Sequence, residues 1–355
     1  MPSIYKRIFS ALEERIEQGN FRKLEHFDSF LDFFSNDYLG LARIPFTPTQ
    51  QLHFGGSSRL IAGTNKCNLS LEQYLADLFQ TESALLFNSG YDANIGVLGT
   101  LPQKGDVVLF DSLCHASIRE GNKLNYAQKI KFKHNDPQHL EQLLKKYQGQ
   151  PIFVVVESLY SMDGDFAPLD EVEKLCQQYN AQLIIDEAHR AGCFDLKIPS
   201  NDSSIRIITF GKAFGAHGAC VLSPKMIKDY LINFCKPFIY TTALPDYSIQ
   251  HIQQNITHQS ITNARKELFD NIQYFQEKFS SSFQLSSDAL SPIQSIIIHD
   301  RNQLKTIEKR LHREKIGVKA IFHPTVPMNQ ERLRISIHSF NTKKEINLLL
   351  DTITP

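Results

Sequence analysis

Lys212 lies in the run Thr209-Phe210-Gly211-Lys212-Ala213-Phe214-Gly215, just after a short apolar stretch. Earlier in the chain, Asp186-Glu187-Ala188-His189 closes another apolar run, Ala181-Gln182-Leu183-Ile184-Ile185. An acid at the carboxyl end of one buried strand and an amine at the end of the next suit a pyridinium cofactor. Pyridoxal phosphate needs a lysine amine for its Schiff base and a carboxylate that keeps its ring nitrogen protonated. Taken singly, either motif has a bland reading. A lysine after a strand is usually a solvated charge, and Asp-Glu-Ala-His also occurs in nucleotide-driven helicases. The helicase reading fails, because the chain has no Gly-x-x-x-x-Gly-Lys-Ser/Thr phosphate loop. The order and strand-end placement of the two motifs together favour the cofactor.

Other segments could join the same site. Asn88-Ser89-Gly90-Tyr91 follows a strand and opens a helix, where backbone amides and the helix dipole hold phosphate. Asp111 to Ser117 also follows a strand, and its His115 either stacks on a cofactor ring or caps a helix. Glu157 to Asp165 follows the apolar strand Ile152 to Val156 and lacks the ligand spacing of a calcium loop. Arg332 and Arg334 are expected on opposite faces of one strand. One would be solvated and the other would pair bidentately with a carboxylate in a cleft.

The elements that must position these residues are legible from periodicity. Strands are expected at Ala84 to Phe87, Asp106 to Phe110, Lys129 to Phe132, Ile152 to Val156, Gln182 to Ile185 and Ile205 to Thr209. Helices fall between most of them. Asp136-Pro137 opens one with Leu140, Leu143 and Leu144, and Pro168 opens another with Leu169, Val172, Leu175 and Cys176. This alternation predicts an α/β large domain, a mostly parallel sheet covered by helices. Beyond residue 224 come helices at Lys225 to Cys235 and Ser260 to Phe279. A strand (Gln294 to Ile298), a helix (Gln303 to Arg313), strands (Gly317 to Ile321 and Arg332 to Ile337) and a helix (Lys343 to Asp351) follow. These form a smaller C-terminal α+β domain. The expected divisions are 1–50 (helix and arm), 51–240 (large cofactor domain) and 241–355 (interdomain helix and small domain), in keeping with 355 residues.

Composition removes several function classes. Lysine plus arginine equals aspartate plus glutamate, 38 each, so no charge excess points to nucleic acid. No apolar run approaches the roughly 20 residues of a membrane-spanning helix. Met1 to Asn20 mixes charges with apolar residues and is expected as a surface helix, not a secretory signal. The six cysteines form no Cys-x-x-Cys pair and are expected as buried free thiols in a reducing cytoplasm, with no metal bound.

In this order, the segments resemble the α-oxoamine synthases, a family within the aminotransferase-like fold of pyridoxal-phosphate enzymes. The matching text runs from Phe34-Ser35-Asn36-Asp37-Tyr38-Leu39-Gly40-Leu41 through Asn88 to Tyr91, Asp111 to Ser117 and Ser161 to Asp165. It continues through Asp186 to His189, Thr209 to Gly215 and Arg332 to Ile335, and so covers nearly the whole chain. The resemblance implies that Lys212 holds the cofactor and moves protons, and that Asp186 pairs with the ring nitrogen. His189, with Ser161, would bond the ring's phenolic oxygen, and His115 would stack on the ring. Gly90, Tyr91 and Thr209 would bind the phosphate, joined across a homodimer interface by Thr241 and Thr242. Arg334 would bind the amino-acid carboxylate, near Asn36. The implied reaction condenses L-alanine with a pimeloyl thioester of coenzyme A or acyl carrier protein and releases carbon dioxide. The alternatives are a glycine-using or longer-acyl member, a plain aminotransferase, or a non-catalytic cofactor-binding homologue. Asn68 stands where the family usually has histidine, and Arg190 where it has glycine. The segments before Gly55 and between His189 and Ile205 are short for the family. These differences bear on acyl specificity and remove no catalytic group.

Overall fold

The computed structural model describes residues 2–19, 21–49, 51, 56–194, 204–280 and 283–354; Gly55 and residues 195–203, between His189 and Ile205, lie outside them. Its centre is a seven-stranded sheet. From edge to edge the strands are Ser83–Phe87, Ala219–Ser223, Ile205–Thr209, Gln182–Asp186, Ile152–Glu157, Val107–Asp111 and Gln128–Phe132. Ala219–Ser223 runs antiparallel to both of its neighbours, Ser83–Phe87 and Ile205–Thr209. The other pairings are parallel, as the alternation of strands and helices predicts.

Period-two alternation covers both faces of this sheet. On one face, Val108, Phe110, Val155, Ile184 and Ile207 pack with Ala93, Val97 and Leu98 of helix Gly90–Thr100. On the other, Val107, Leu109, Val154, Val156, Leu183 and Ile185 meet helices Pro137–Lys146 and Leu169–Gln178 through Leu140, Leu144, Val172 and Cys176. The helix starts follow their capping chemistry. Asp136 accepts from the His139 amide ahead of Pro137, and Ser89 accepts from the Asp92 amide.

The C-terminal layer is a four-stranded antiparallel sheet ordered Lys319–Ile321, Arg332–Ser336, Ile293–Ile297 and Gln284–Leu285. The strand expected over Gly317 to Ile321 is in fact two. Ile316–Gly317 turns away to pair with Leu31–Asp32 of the N-terminal arm. That arm is part of the site's frame. Phe33, Tyr38, Leu39 and Leu41 are buried with Leu333, Ile335 and Leu304 of the C-terminal layer. Among the elements not expected are helix Lys66–Phe79, strand Ala219–Ser223 and helix Asp246–Ile256. The last sends Ile249, Ile252 and Ile256 into the cluster that also holds Phe210 and Phe214. Helix Ser3–Glu17 is exposed all round, as expected of a surface helix. All six cysteines are free, and all but Cys67 are buried.

Candidate active site

The carboxyl ends of five parallel strands open onto one crevice, where ligands bind in open α/β sheets. Asn88 to Tyr91, Asp111 to Ser117, Glu157 to Asp165, Asp186 to His189 and Thr209 to Gly215 each follow such an end. Parallel register puts Glu157 directly beside Asp186.

Lys212 projects from the turn after Ile205–Thr209, and its Nζ lies 2.7 Å from His189 Nε2. Burial lowers its pKa to about 8, with Arg334 adding to that push and Asp186 and Glu157 opposing it. Burial holds His189 neutral, far below the usual imidazole range, helped by the charges of Lys212 and Arg334. A neutral ring that accepts at Nε2 carries its proton on Nδ1, which lies 2.7 Å from the Tyr38 hydroxyl. Tyr38 in turn donates to Asn36 Oδ1 at 3.1 Å. The Lys212 turn is seated on the arm by Gly215 (φ +59°), where an added Cβ would meet the Ala42 nitrogen at 2.1 Å. No side chain fits there.

Asp186 is buried and fixed at both oxygens. Asn94 Nδ2 donates to Oδ2 at 2.7 Å, and the Ala188 amide donates to Oδ1 at 2.9 Å. Burial, with the Asp186 charge beside it, pushes the Glu157 carboxyl far up. Glu157 Oε1 accepts from the His115 backbone amide. His115 is itself the cap of helix Ala116–Lys123, with Nδ1 accepting from the Ser117 amide at 3.3 Å. The capping reading of His115 therefore holds. Burial lowers its pKa, and the charges of Asp186 and Lys212 both act on it, so the ring also stands at the crevice.

Gly90 opens its helix with no side chain, and a Cβ there would reach Thr209 Cβ at 3.4 Å. Tyr91 is exposed in the same first turn. Asn88 Nδ2 donates to Thr241 Oγ1 at 2.9 Å and to the Thr242 carbonyl at 3.0 Å. Thr241 and Thr242 thus lie beside this helix start within their own chain.

The expectation that Arg332 and Arg334 face opposite ways is overturned. Residues two apart on a strand share a face, and both side chains reach the Ser161–Asp163 turn. Both are buried; neither is solvated. Arg332 is consumed by Asp163 Oδ1, with the Met162 and Gln330 carbonyls at 3.3 and 3.0 Å. Arg334 gives Nε to the Ser161 carbonyl at 2.6 Å, Nη1 to Ser336 Oγ at 3.1 Å and Nη2 to Asn36 Oδ1 at 3.0 Å. Neutral partners leave its charge free for an anion. Asn68 closes a capping box with Asn65, and Arg190 lies over the Phe194 ring at 5.6 Å.

This donor set fits pyridoxal phosphate. A charged, doubly anchored carboxylate suits a pyridinium nitrogen, and a buried amine of lowered pKa suits a carbonyl carbon. The helix start at Gly90, close against Thr209, suits a phosphate. Tyr38, Asn94 and Glu157 belong to the site although reasoning from sequence assigned them no role. Glu157, an acid ending an otherwise apolar strand, was the one legible signal among them.

Comparison with known proteins identifies the family. The pattern of the aminotransferase class I and II family matches residues 28–353. The 8-amino-7-oxononanoate synthase of Photobacterium profundum is 36% identical, covering 98% of this chain and 96% of its own. That of Emericella nidulans is also 36% identical, covering 97% and 93%. The crystal structure of 8-amino-7-oxononanoate synthase from Francisella tularensis superposes with a TM-score of 0.76 at 30% identity, over 92% of this chain and 97% of that one. Serine palmitoyltransferase from Sphingomonas wittichii shares the fold, with a TM-score of 0.88 at 24% identity over 99% and 96% of the two chains. The chain belongs to the aminotransferase class I and II family, in the branch of the 8-amino-7-oxononanoate synthases.

Proposed function

We propose that this chain uses pyridoxal 5'-phosphate to condense L-alanine with a pimeloyl thioester. The products are 8-amino-7-oxononanoate, carbon dioxide and the free thiol, a step of biotin synthesis. The relatives' names support the substrates. The observation that carries the reading is the Lys212 amine, with a pKa of about 8, in one crevice with charged Asp186 and the anion-ready Arg334.

Each of these groups has a task. Near pH 7 a pKa of about 8 leaves roughly a tenth of the Lys212 amine unprotonated. Ordinary lysine has well under a thousandth, so burial supplies a base able to take the α-proton of alanine. Arg334 holds the alanine carboxylate and so sets which α-carbon bond points toward Lys212. Asp186 holds the proton on the ring nitrogen, and Asn94 and the Ala188 amide keep that carboxylate from turning. His189 and Ser161 would bond the ring's phenolic oxygen, and His115 would stack on the ring. Gly90, Tyr91 and Thr209 would take the phosphate. Pyridoxal phosphate, when bound, supplies the electron sink for the pair left at the α-carbon.

The active form in this proposal is a cytoplasmic homodimer in which Thr241 and Thr242, held by Asn88 of their own chain, would reach across the interface to the partner's phosphate. No described helix is long and apolar enough to cross a membrane. Mixed dimers of a Lys212→Ala chain and a Thr241→Ala, Thr242→Ala chain should hold one intact site. Recovery of no activity on mixing would refute the sharing. The reaction itself is tested by carbon dioxide release from L-alanine, with thioesters of graded length on coenzyme A and on acyl carrier protein. Fastest release with the pimeloyl thioester is expected. Preference for a long uncharged chain, or for glycine, would overturn the substrate assignment.

A further inference from the structure

We infer that His134, outside the cofactor crevice, is a positioning residue for Arg334, acting through the turn Tyr160–Phe166 that it ties to the large sheet. The inference rests on the reading that Arg334 receives the amino-acid carboxylate. His134 follows strand Gln128–Phe132. Its Nδ1 lies 2.8 Å from Asp111 Oδ1, and its Nε2 lies 2.7 Å from Asp165 Oδ2. Ionised carboxylates only accept, so both ring nitrogens donate and the ring is an imidazolium. Burial works against that charge, yet the hydrogen bonds to Asp111 and Asp165 push the pKa up to about 10. Tyr160 stands edge-on to the ring at 4.5 Å.

The neighbouring Asn135 extends the tie. Its amide donates to Asp111 Oδ2 at 3.0 Å, and its side chain donates to Asp165 Oδ2 at 2.8 Å and to the Phe166 carbonyl at 3.1 Å. On its far side the same turn meets the C-terminal layer. The Ser161 carbonyl accepts from Arg334, Asp163 pairs with Arg332, and the Met162 carbonyl accepts from Ser295 Oγ at 3.0 Å. The Phe166 amide donates to Asp288 Oδ2 at 2.7 Å. The turn is therefore a wedge between two sheets. It continues from strand Ile152–Glu157 of the large sheet, and the His134 and Asn135 side chains tie its far end, at Asp165 and Phe166, back to that sheet. From the other side it supplies the acceptor that orients the Arg334 Nε–H. Without the His134 charge, Asp111 and Asp165 lose their shared cation and the turn loses its charged tie to the large sheet, keeping only the Arg332–Asp163 pair on the other side. Lys212 and Asp186 stand on other strands and keep their own partners.

The test is His134→Gln in the cofactor-loaded enzyme. L-alanine is titrated by the absorbance of the bound cofactor, and steady-state rates are measured alongside. The alanine half-saturation should rise about 10-fold, as expected for the weakening of a charge-assisted hydrogen bond whose donor is no longer oriented. Cofactor affinity should fall far less than alanine affinity, because Ser161 is the one group of this turn assigned to the cofactor, and kcat at saturating alanine should hold. Asp165→Asn, which keeps the His134–Asp111 pair, should shift alanine in the same direction, and it decides the matter if His134→Gln does not fold. An unchanged alanine requirement overturns the inference, and so does a loss shared equally by cofactor affinity and kcat. Arg334→Ala separates the two layers. If it raises the alanine requirement while His134→Gln does not, only the positioning role fails. If Arg334→Ala itself leaves alanine unaffected, the carboxylate reading beneath it fails.

Discussion

Truncating Arg334 should weaken alanine binding selectively, and the structure says by how much. Its guanidinium is buried on four neutral partners, the Ser161 carbonyl, Ser336 Oγ, Asn36 Oδ1 and, at 3.5 Å, the Tyr38 hydroxyl, so no protein carboxylate competes for its charge. A substrate carboxylate would make a charge-assisted pair of about 1.5–3 kcal/mol there. Arg334→Ala should thus raise the alanine requirement about 10- to 150-fold. Arg334→Lys should recover little, because an ammonium lacks the planar fork. Arg332 is the internal control. It shares the strand face but spends its charge on Asp163. Arg332→Ala should cost about 1–3 kcal/mol of stability, below the range for a fully buried pair because Asp163 is partly exposed. Its effect on alanine should be far smaller. The assay is alanine titration of the cofactor's absorbance, paired with thermal melting. A larger alanine defect in Arg332→Ala than in Arg334→Ala would refute the reasoning.

Other outcomes follow from the same geometry. Asp186→Asn should fold, yet slow α-proton exchange of bound alanine at least 100-fold, in the range of a general acid–base contribution; near wild-type exchange in deuterated water would remove Asp186 from its role. In the cofactor-free protein, Lys212 has a native pKa of about 8 against about 10.4 unfolded. Between those values the unfolded chain binds more protons, so its burden on stability is full below pH 8 and lifts as pH rises toward 10. Lys212→Met should therefore stabilise the cofactor-free protein at pH 7 by up to about 3 kcal/mol, with the gain fading by pH 10; a pH-independent difference in melting would contradict this. Arg206 and Glu187 form a buried pair. Arg206→Ala should cost about 3–5 kcal/mol, and an unchanged denaturant midpoint would show that the pair is dispensable.

Much of the site was legible because it is local. Each cofactor motif is a short run after a strand's carboxyl end, and strands such as Val107–Asp111 and Ile152–Glu157 declare themselves by unbroken apolar content. Partners distant in sequence were not legible. Tyr38 meets His189 from 151 residues away and Asn94 meets Asp186 from 92, and no spacing rule encodes such contacts. Two elements carried signals that went unread. Ala219–Ser223 is an apolar run bounded by Gly218 and Pro224, and helix Asp246–Ile256 follows Pro245 with Ile249, Ile252 and Ile256 at helical spacing. The misplaced arginine faces came from treating residues two apart as alternating, when period two puts them together. Gly317 turns its strand aside because the arm packs against it: an added Cβ there would meet the Phe34 ring at 1.9 Å.

The central claim is that Lys212 is the amine that carries the cofactor. Borohydride reduction of the cofactor-loaded protein, followed by peptide mapping, tests it most directly. The reduced adduct should map to the peptide containing Lys212, and Lys212→Ala should yield none while losing turnover. An adduct on any other lysine of the wild-type chain would contradict the account.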